Sequence, residues 1–134
     1  YGSPRFLPHI SLLSGDASVD PLSVELPSLS PPTANLGPPD VGETQTHCVF
    51  LPAAVDEAFH SLRNAAARAF GLGAPSIDPH LSLLYGDLGM SARRDIAQGL
   101  QLEPMEVSLS RIAVVRGGGA IQNWTVLRHI PLGP

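Results

Sequence analysis

Short segments of this chain alternate apolar and polar residues with a period of two, which is typical of β-strands with one buried face. Near the start, His9 and Ser11 alternate with Ile10 and Leu12. We predict about six strands by this criterion, at residues 5–13, 22–29, 44–51, 79–86, 105–116 and 121–130. Three consecutive glycines at residues 117–119 predict a hairpin turn between the last two.

Two further segments carry apolar residues every three or four positions and predict helices, at residues 52–70 and 91–100. Pro52 suits the first turn of one helix, Gly71 its end, and Ser91 the cap of the other. Strands and helices follow one another in mixed order, without regular strand–helix–strand alternation. This order predicts an α+β fold with antiparallel sheet.

The chain of 134 residues is long enough for one domain, spanning residues 1–134, with its own core. Residues 30–42 contain four prolines together with glycine and asparagine. This composition predicts a flexible loop, because proline cannot donate to a strand ladder and glycine weakens one.

Charge and cysteine content narrow the class of protein. The formal net charge is −4 and all eight basic residues are arginines, which argues against binding long nucleic acid through a basic face. Apolar runs are too short to span a bilayer, so we expect no membrane segment. Cys48 is the single cysteine, which excludes an internal disulfide and fits a reducing, cytoplasmic setting. Its apolar neighbours predict a buried structural thiol.

The sequence Pro-His-Ile-Ser-Leu-Leu at residues 8–13 recurs as Pro-His-Leu-Ser-Leu-Leu at residues 79–84, with identity at five of the six positions. The chance of such a recurrence is on the order of one in a thousand, so we interpret it as a repeat. Duplicated strand packing would account for proline and leucine. It would not call for histidine and serine at the same offset twice.

Residues two apart on a strand project from one face, so each copy presents an imidazole beside a hydroxyl. If a pseudo-twofold axis relates the copies, both His–Ser pairs converge on one cleft. One imidazole could then take a proton from water while the other gives a proton to a leaving oxygen. The serine hydroxyls could donate to phosphate oxygens between them. This arrangement suits hydrolysis of a cyclic phosphodiester.

Paired His-x-Ser motifs on two strands resemble the signature of the 2H phosphoesterase superfamily. Residues 3–9, 48–51 and 79–85 look like its plant and yeast cyclic phosphodiesterase branch. The similarity covers residues 2–14 and continues from about residue 44 to the C-terminus. The resemblance implies a bilobal, pseudo-twofold α+β fold in which two antiparallel sheets face a central cleft, with helices outside.

The resemblance also implies a metal-independent hydrolase without cofactors. Expected substrates are small cyclic phosphates: ADP-ribose 1″,2″-cyclic phosphate and nucleoside 2′,3′-cyclic phosphates, the latter giving 2′-phosphates. By motif position His9 and His80 inherit acid–base roles, in an order left open, and Ser11 and Ser82 inherit phosphate binding. Tyr85 matches a pocket-lining position, although alternation would place it opposite His80 unless the strand ends there. A core tyrosine is the alternative.

Two alternatives to this function stay open. One is the RNA-end branch of the same superfamily, acting on terminal 2′,3′-cyclic phosphates in RNA or tRNA processing. The acidic net charge and lack of lysine favour the small substrate. The other is a non-catalytic nucleotide-binding module, which would not need two proton-transfer groups. We expect a monomer.

The two halves of the chain are unequal. The copy at His80 follows a predicted strand and helix, whereas only eight residues precede His9. Internal symmetry therefore predicts a strand and a helix upstream of Tyr1. We expect no metal site at His47 and Cys48, because adjacent residues on a strand point to opposite faces.

Overall fold

A computed structural model describes residues 8–17, 19–73, 75, 78–117 and 123–133. The elements in these residues follow the order β1 (Thr33–Leu36), β2 (Asp40–Val41), β3 (Val49–Val55), α1 (Glu57–Phe70), β4 (His80–Leu84), α2 (Met90–Gly99), β5 (Met105–Ser108), β6 (Arg111–Arg116) and β7 (Thr125–Pro131). The predicted α+β class with antiparallel sheets is confirmed. Neither of the two helices is long and apolar enough to cross a membrane.

Strand β3 is the centre of a five-stranded antiparallel sheet. It pairs with β1 and β2 along one edge and with β4 along the other, and β5 pairs with the outer side of β1. Strands β6 and β7 form a separate antiparallel pair. One face of the main sheet carries the apolar core of Ala34, Leu36, Leu51 and Ala53, against which Ile10 and Leu81 pack.

The prediction of a flexible loop at residues 30–42 is wrong, because β1 and β2 lie within it. Ala34 and Leu36 are 0% and 5% exposed, on either side of the exposed Asn35. This is a short strand pattern, and β1 forms ladders on both of its sides. The prolines lie before β1 and between β1 and β2, so none of them has to donate a hydrogen bond within these strands; Pro32 only accepts one, from the backbone N–H of Leu109 at 2.8 Å.

The boundary between β3 and α1 also differs from the prediction. Strand β3 continues to Val55, so Pro52 is a strand residue, and α1 begins at Glu57. Asp56 determines this start, because its carboxylate accepts a hydrogen bond from the backbone N–H of Phe59 at 3.0 Å. The cap satisfies the Phe59 N–H, one of the first-turn donors that have no partner within a helix. A proline at the first helical position would not supply an acceptor for such a donor. The helix ends as predicted, with Gly71 in the left-handed conformation at φ 66°.

The predicted strands at residues 5–13 and 22–29 are absent from the parts that the structure describes. Residues 5–7 lie outside it, and within residues 8–13 Ile10 forms an isolated bridge. At residues 22–29 the carbonyl oxygens of Leu22 and Val24 accept hydrogen bonds from the Arg128 guanidinium at 3.0 Å. These two carbonyl oxygens therefore bond to an arginine side chain and not to the backbone of a paired strand.

The second half follows the predicted order with shifted limits. Helix α2 begins after Gly89, so Ser91 lies inside it and is not the cap. The predicted strand at residues 105–116 is two strands in different sheets. Strands β6 and β7 pair as the predicted hairpin does. Gly118 and Gly119 of its predicted turn, like residues 121–122 of the last predicted strand, lie outside the described residues.

Candidate functional site

The two copies of the repeat lie side by side. Ile10 and Leu81 form an antiparallel bridge, and they occupy equivalent positions in the two copies. Antiparallel pairing of equivalent positions places a local twofold axis between them. Extending this register by one residue sets His9 opposite Ser82 and Ser11 opposite His80.

In a ladder extended from this bridge, these four polar residues would share the face that points away from the core. Ile10 and Leu81 pack against the core, and neighbouring residues in extended chain project to the opposite side. His9 and His80 are then diagonal neighbours, a relation that separates Cα atoms by about 7–8 Å in a regular ladder.

His80 begins β4 and has a defined tautomer. Its Nδ1 lies 2.9 Å from the backbone carbonyl oxygen of Asp78. A carbonyl oxygen only accepts, so Nδ1 carries the hydrogen and donates it. The remaining ring nitrogen, Nε2, is therefore the atom of His80 that can take or give a proton.

A third imidazole, which the sequence did not indicate, lies beside His80. The His47 ring centroid is 4.5 Å from that of His80 and 4.0 Å from that of Phe50, on which it stacks at 21°. The Phe50 ring meets His80 edge-on at 5.3 Å. Phe50 pairs with Ser82 across β3 and β4, so these rings lie on the same face as the motif residues.

The environment of His47 lowers the pKa of its imidazole. Partial burial is the largest cause, and the positive charge of a protonated His80 adds to it. Asp40 and Asp78 act in the opposite direction and raise the pKa, without cancelling the effect. A proton on His80 therefore disfavours a proton on His47.

The segment that carries His47 is held by a buried arginine. Arg93 of α2 is 3% exposed. Its guanidinium donates to the carbonyl oxygens of Gly42 at 2.7 Å and Thr44 at 2.9 Å, and to that of Leu88 at 2.7 Å. Residues 42–44 are thereby connected to the segment that follows β4. At Gly42 a side chain has no space, since a Cβ there would lie 2.6 Å from Nδ1 of His47.

A second buried arginine binds the backbone of the first motif copy. Arg63 of α1 is 7% exposed and lies over the Phe59 ring, 5.1 Å from its centroid. Its guanidinium donates to the carbonyl oxygens of Leu12 at 3.0 Å and Ser11 at 3.4 Å. Burial lowers the pKa of Arg63, and Asp78 opposes this. A signal was present in the sequence, because Arg63 is one helical turn from Phe59 on the buried face of α1.

The predicted phosphate-binding and pocket residues differ in accessibility. Ser11 is exposed, whereas Ser82 is 6% exposed. His9 is half-buried. Tyr85 directly follows the end of β4, as its predicted orientation requires, and is 5% exposed. Its pocket role stays a prediction.

Cys48, His60 and His129 lie outside the two copies of the motif. Cys48 is buried with a free thiol, as predicted. His60 on α1 and His129 on β7 are exposed. Across the described part of the chain, no three His, Cys, Asp or Glu side chains are grouped as a metal site would require. A cavity of about 160 Å³ beside α2 contains none of the motif residues; it is lined by Pro39, Asp40, Val41, Arg94, Ala97 and Gln98.

No protein-family model fits the chain, and no curated protein is significantly similar to it.

Proposed function

We propose that this protein is a metal-independent cyclic phosphodiesterase of the 2H type, which opens small cyclic phosphates with His9 and His80 as acid and base. The observation that carries the proposal is the bridge between Ile10 and Leu81. It pairs equivalent positions of a repeat that contains histidine and serine twice. The finer architecture that accompanies this function is the bilobal, pseudo-twofold fold with a central cleft.

In the proposed reaction the phosphate lies between the two imidazoles. One imidazole takes a proton from water as the water oxygen bonds to phosphorus, and the bond from phosphorus to one ring oxygen breaks. The other imidazole gives its proton to that leaving oxygen. Nε2 of His80 is suited to either role, because Nδ1 donates to Asp78. The hydroxyls of Ser11 and Ser82 donate to the non-bridging oxygens.

The proposed substrates are ADP-ribose 1″,2″-cyclic phosphate and nucleoside 2′,3′-cyclic phosphates. The net charge of −4 supports a small substrate over RNA. Product analysis with these compounds and an RNA oligomer ending in a cyclic phosphate separates the possibilities. Turnover of the oligomer alone would favour an RNA-end enzyme. Binding without turnover of any of them would favour a nucleotide-binding module.

Substitution of each motif histidine tests the catalytic assignment. His9→Ala and His80→Ala should each lower kcat by about 10² to 10⁴, the usual contribution of a general acid or base. The exposed His60 and His129 supply matched controls, and their alanine variants should retain wild-type rates. Addition of EDTA should not change the rate. Full activity in either motif variant, or abolition by EDTA, would overturn the mechanism.

A further inference from the structure

We propose that His47 is a positioning residue for His80, and that the two imidazole rings form a contacting pair. This inference rests on the proposed function for its catalytic consequence. The pairing of the rings rests on geometry alone.

Contacts on two sides restrain the His80 ring. Its Nδ1 donates to the backbone oxygen of Asp78 at 2.9 Å. The rings of His47 and Phe50 contact it with centroids at 4.5 Å and 5.3 Å. A ring restrained in this way does not need to be ordered when the substrate arrives, which lowers the entropic cost of the reactive geometry.

The groups around His47 lower the pKa of its imidazole. Four groups face it: the carboxylates of Asp40 on β2 and Asp78 before β4, the His80 imidazole on β4, and the uncharged Phe50 ring on β3. The pKa of His47 is lowered by burial first and by the charge of His80 second, and the two carboxylates only partly offset this. Protonation of His80 therefore makes protonation of His47 less favourable.

The main chain is arranged to keep His47 in this place. The buried guanidinium of Arg93 donates hydrogen bonds to the carbonyl oxygens of Gly42 and Thr44, which lie a few residues before His47. The backbone N–H of His47 donates to the Thr44 hydroxyl at 3.0 Å. Gly42 leaves the space that the His47 ring occupies. The contacts of Arg93 and Thr44, together with the space at Gly42, therefore restrain the segment that carries the His47 ring.

Proton NMR titration of the imidazole C–H signals tests the pairing without any substrate. In the wild-type protein His47 should titrate below the ordinary histidine value of 6.5. In His80→Gln its midpoint should rise, because the neighbouring charge is gone. An unchanged midpoint in His80→Gln would overturn the pairing.

Steady-state kinetics test the positioning role. His47→Ala should lower kcat by up to about 100-fold, the effect of a misplaced catalytic group, while KM changes little. His47→Phe keeps a ring on Phe50 and should recover part of the rate. His47→Phe should also remove the contribution of His47 to the pH dependence of kcat on the acid side. His60→Phe, on the exposed face of α1, is the control and should behave as wild type.

The two tests separate the inference from the function on which it rests. If wild-type protein opens none of the cyclic phosphates, the proposed function fails, and the titration still decides whether His47 and His80 are paired. If the wild-type protein is active and His47→Ala retains its full kcat, the positioning role is overturned while the function stands.

Discussion

Replacing Arg63 with methionine should destabilise the protein and loosen the first motif copy. Arg63 is 7% exposed and connects α1 to the backbone at Ser11 and Leu12, directly after His9. Methionine matches the aliphatic part of the side chain and fills most of the space. It donates no hydrogen bonds, so both carbonyl oxygens would lose this donor.

The size of the effect follows from the contacts. A hydrogen bond from a charged donor contributes about 1.5–3 kcal/mol, and the bond to the Leu12 oxygen at 3.0 Å has good length. The contact with the Ser11 oxygen at 3.4 Å is long and contributes less. The position of the guanidinium over Phe59 adds about 0.5–1 kcal/mol. We therefore expect Arg63→Met to lower the free energy of unfolding by about 2–4 kcal/mol.

Urea unfolding followed by circular dichroism measures this loss. The midpoint should shift at constant slope, since the surface exposed on unfolding is unchanged. Arg68→Met is the matched control, because Arg68 is exposed in the last turn of the same helix. It should cost less than about 1 kcal/mol, the value of one charge at a helix terminus. Equal losses in the two variants would refute the role assigned to Arg63.

Two further predictions concern the segment around His47. In Gly42→Ala the new methyl group would lie 2.6 Å from Nδ1 of His47, so the segment must move and kcat should fall as in His47→Ala. Gly73→Ala, where nothing lies within 4 Å, should leave kcat unchanged, and equal rates for the two variants would contradict this steric argument. Folding lowers the pKa of His47, so the unfolded chain binds the proton more readily than the folded protein. The free energy of unfolding should therefore fall as the pH drops from 6.5 to the lowered pKa of the folded state. Urea midpoints at pH 7 and pH 5 measure this loss, which should be smaller in His47→Phe; an equal loss would refute it.

Local patterns were sufficient for the elements that depend on near neighbours. The alternation around Ile10 and Leu81 predicted their inward orientation, and both pack against the core. The apolar spacing predicted both helices, and Gly71 predicted the end of α1. The predicted start of α1 was wrong because the hydrogen bond that the Asp56 carboxylate accepts from the Phe59 N–H outweighed the preference of Pro52 for a first turn.

The wrong prediction of a loop where β1 lies has a different cause. Its four residues are flanked by prolines, so composition outweighed a short alternation. What stabilises this strand is its position between β3 and β5, which are distant in sequence. Strand propensity depends on such neighbours more than on the segment itself.

The sequence by itself determined the repeat, the two histidines and two serines it carries, the α+β class and the buried Cys48. Tertiary structure alone decided the register that pairs Ile10 with Leu81, the place of His47 beside His80, and the contacts of Arg63 and Arg93 with the backbone around both motif copies. The physical reason is the separation along the sequence over which each effect acts. Periodicity and capping act within a few residues, whereas these contacts join segments far apart in the chain, whose relative position follows from packing of the whole sheet.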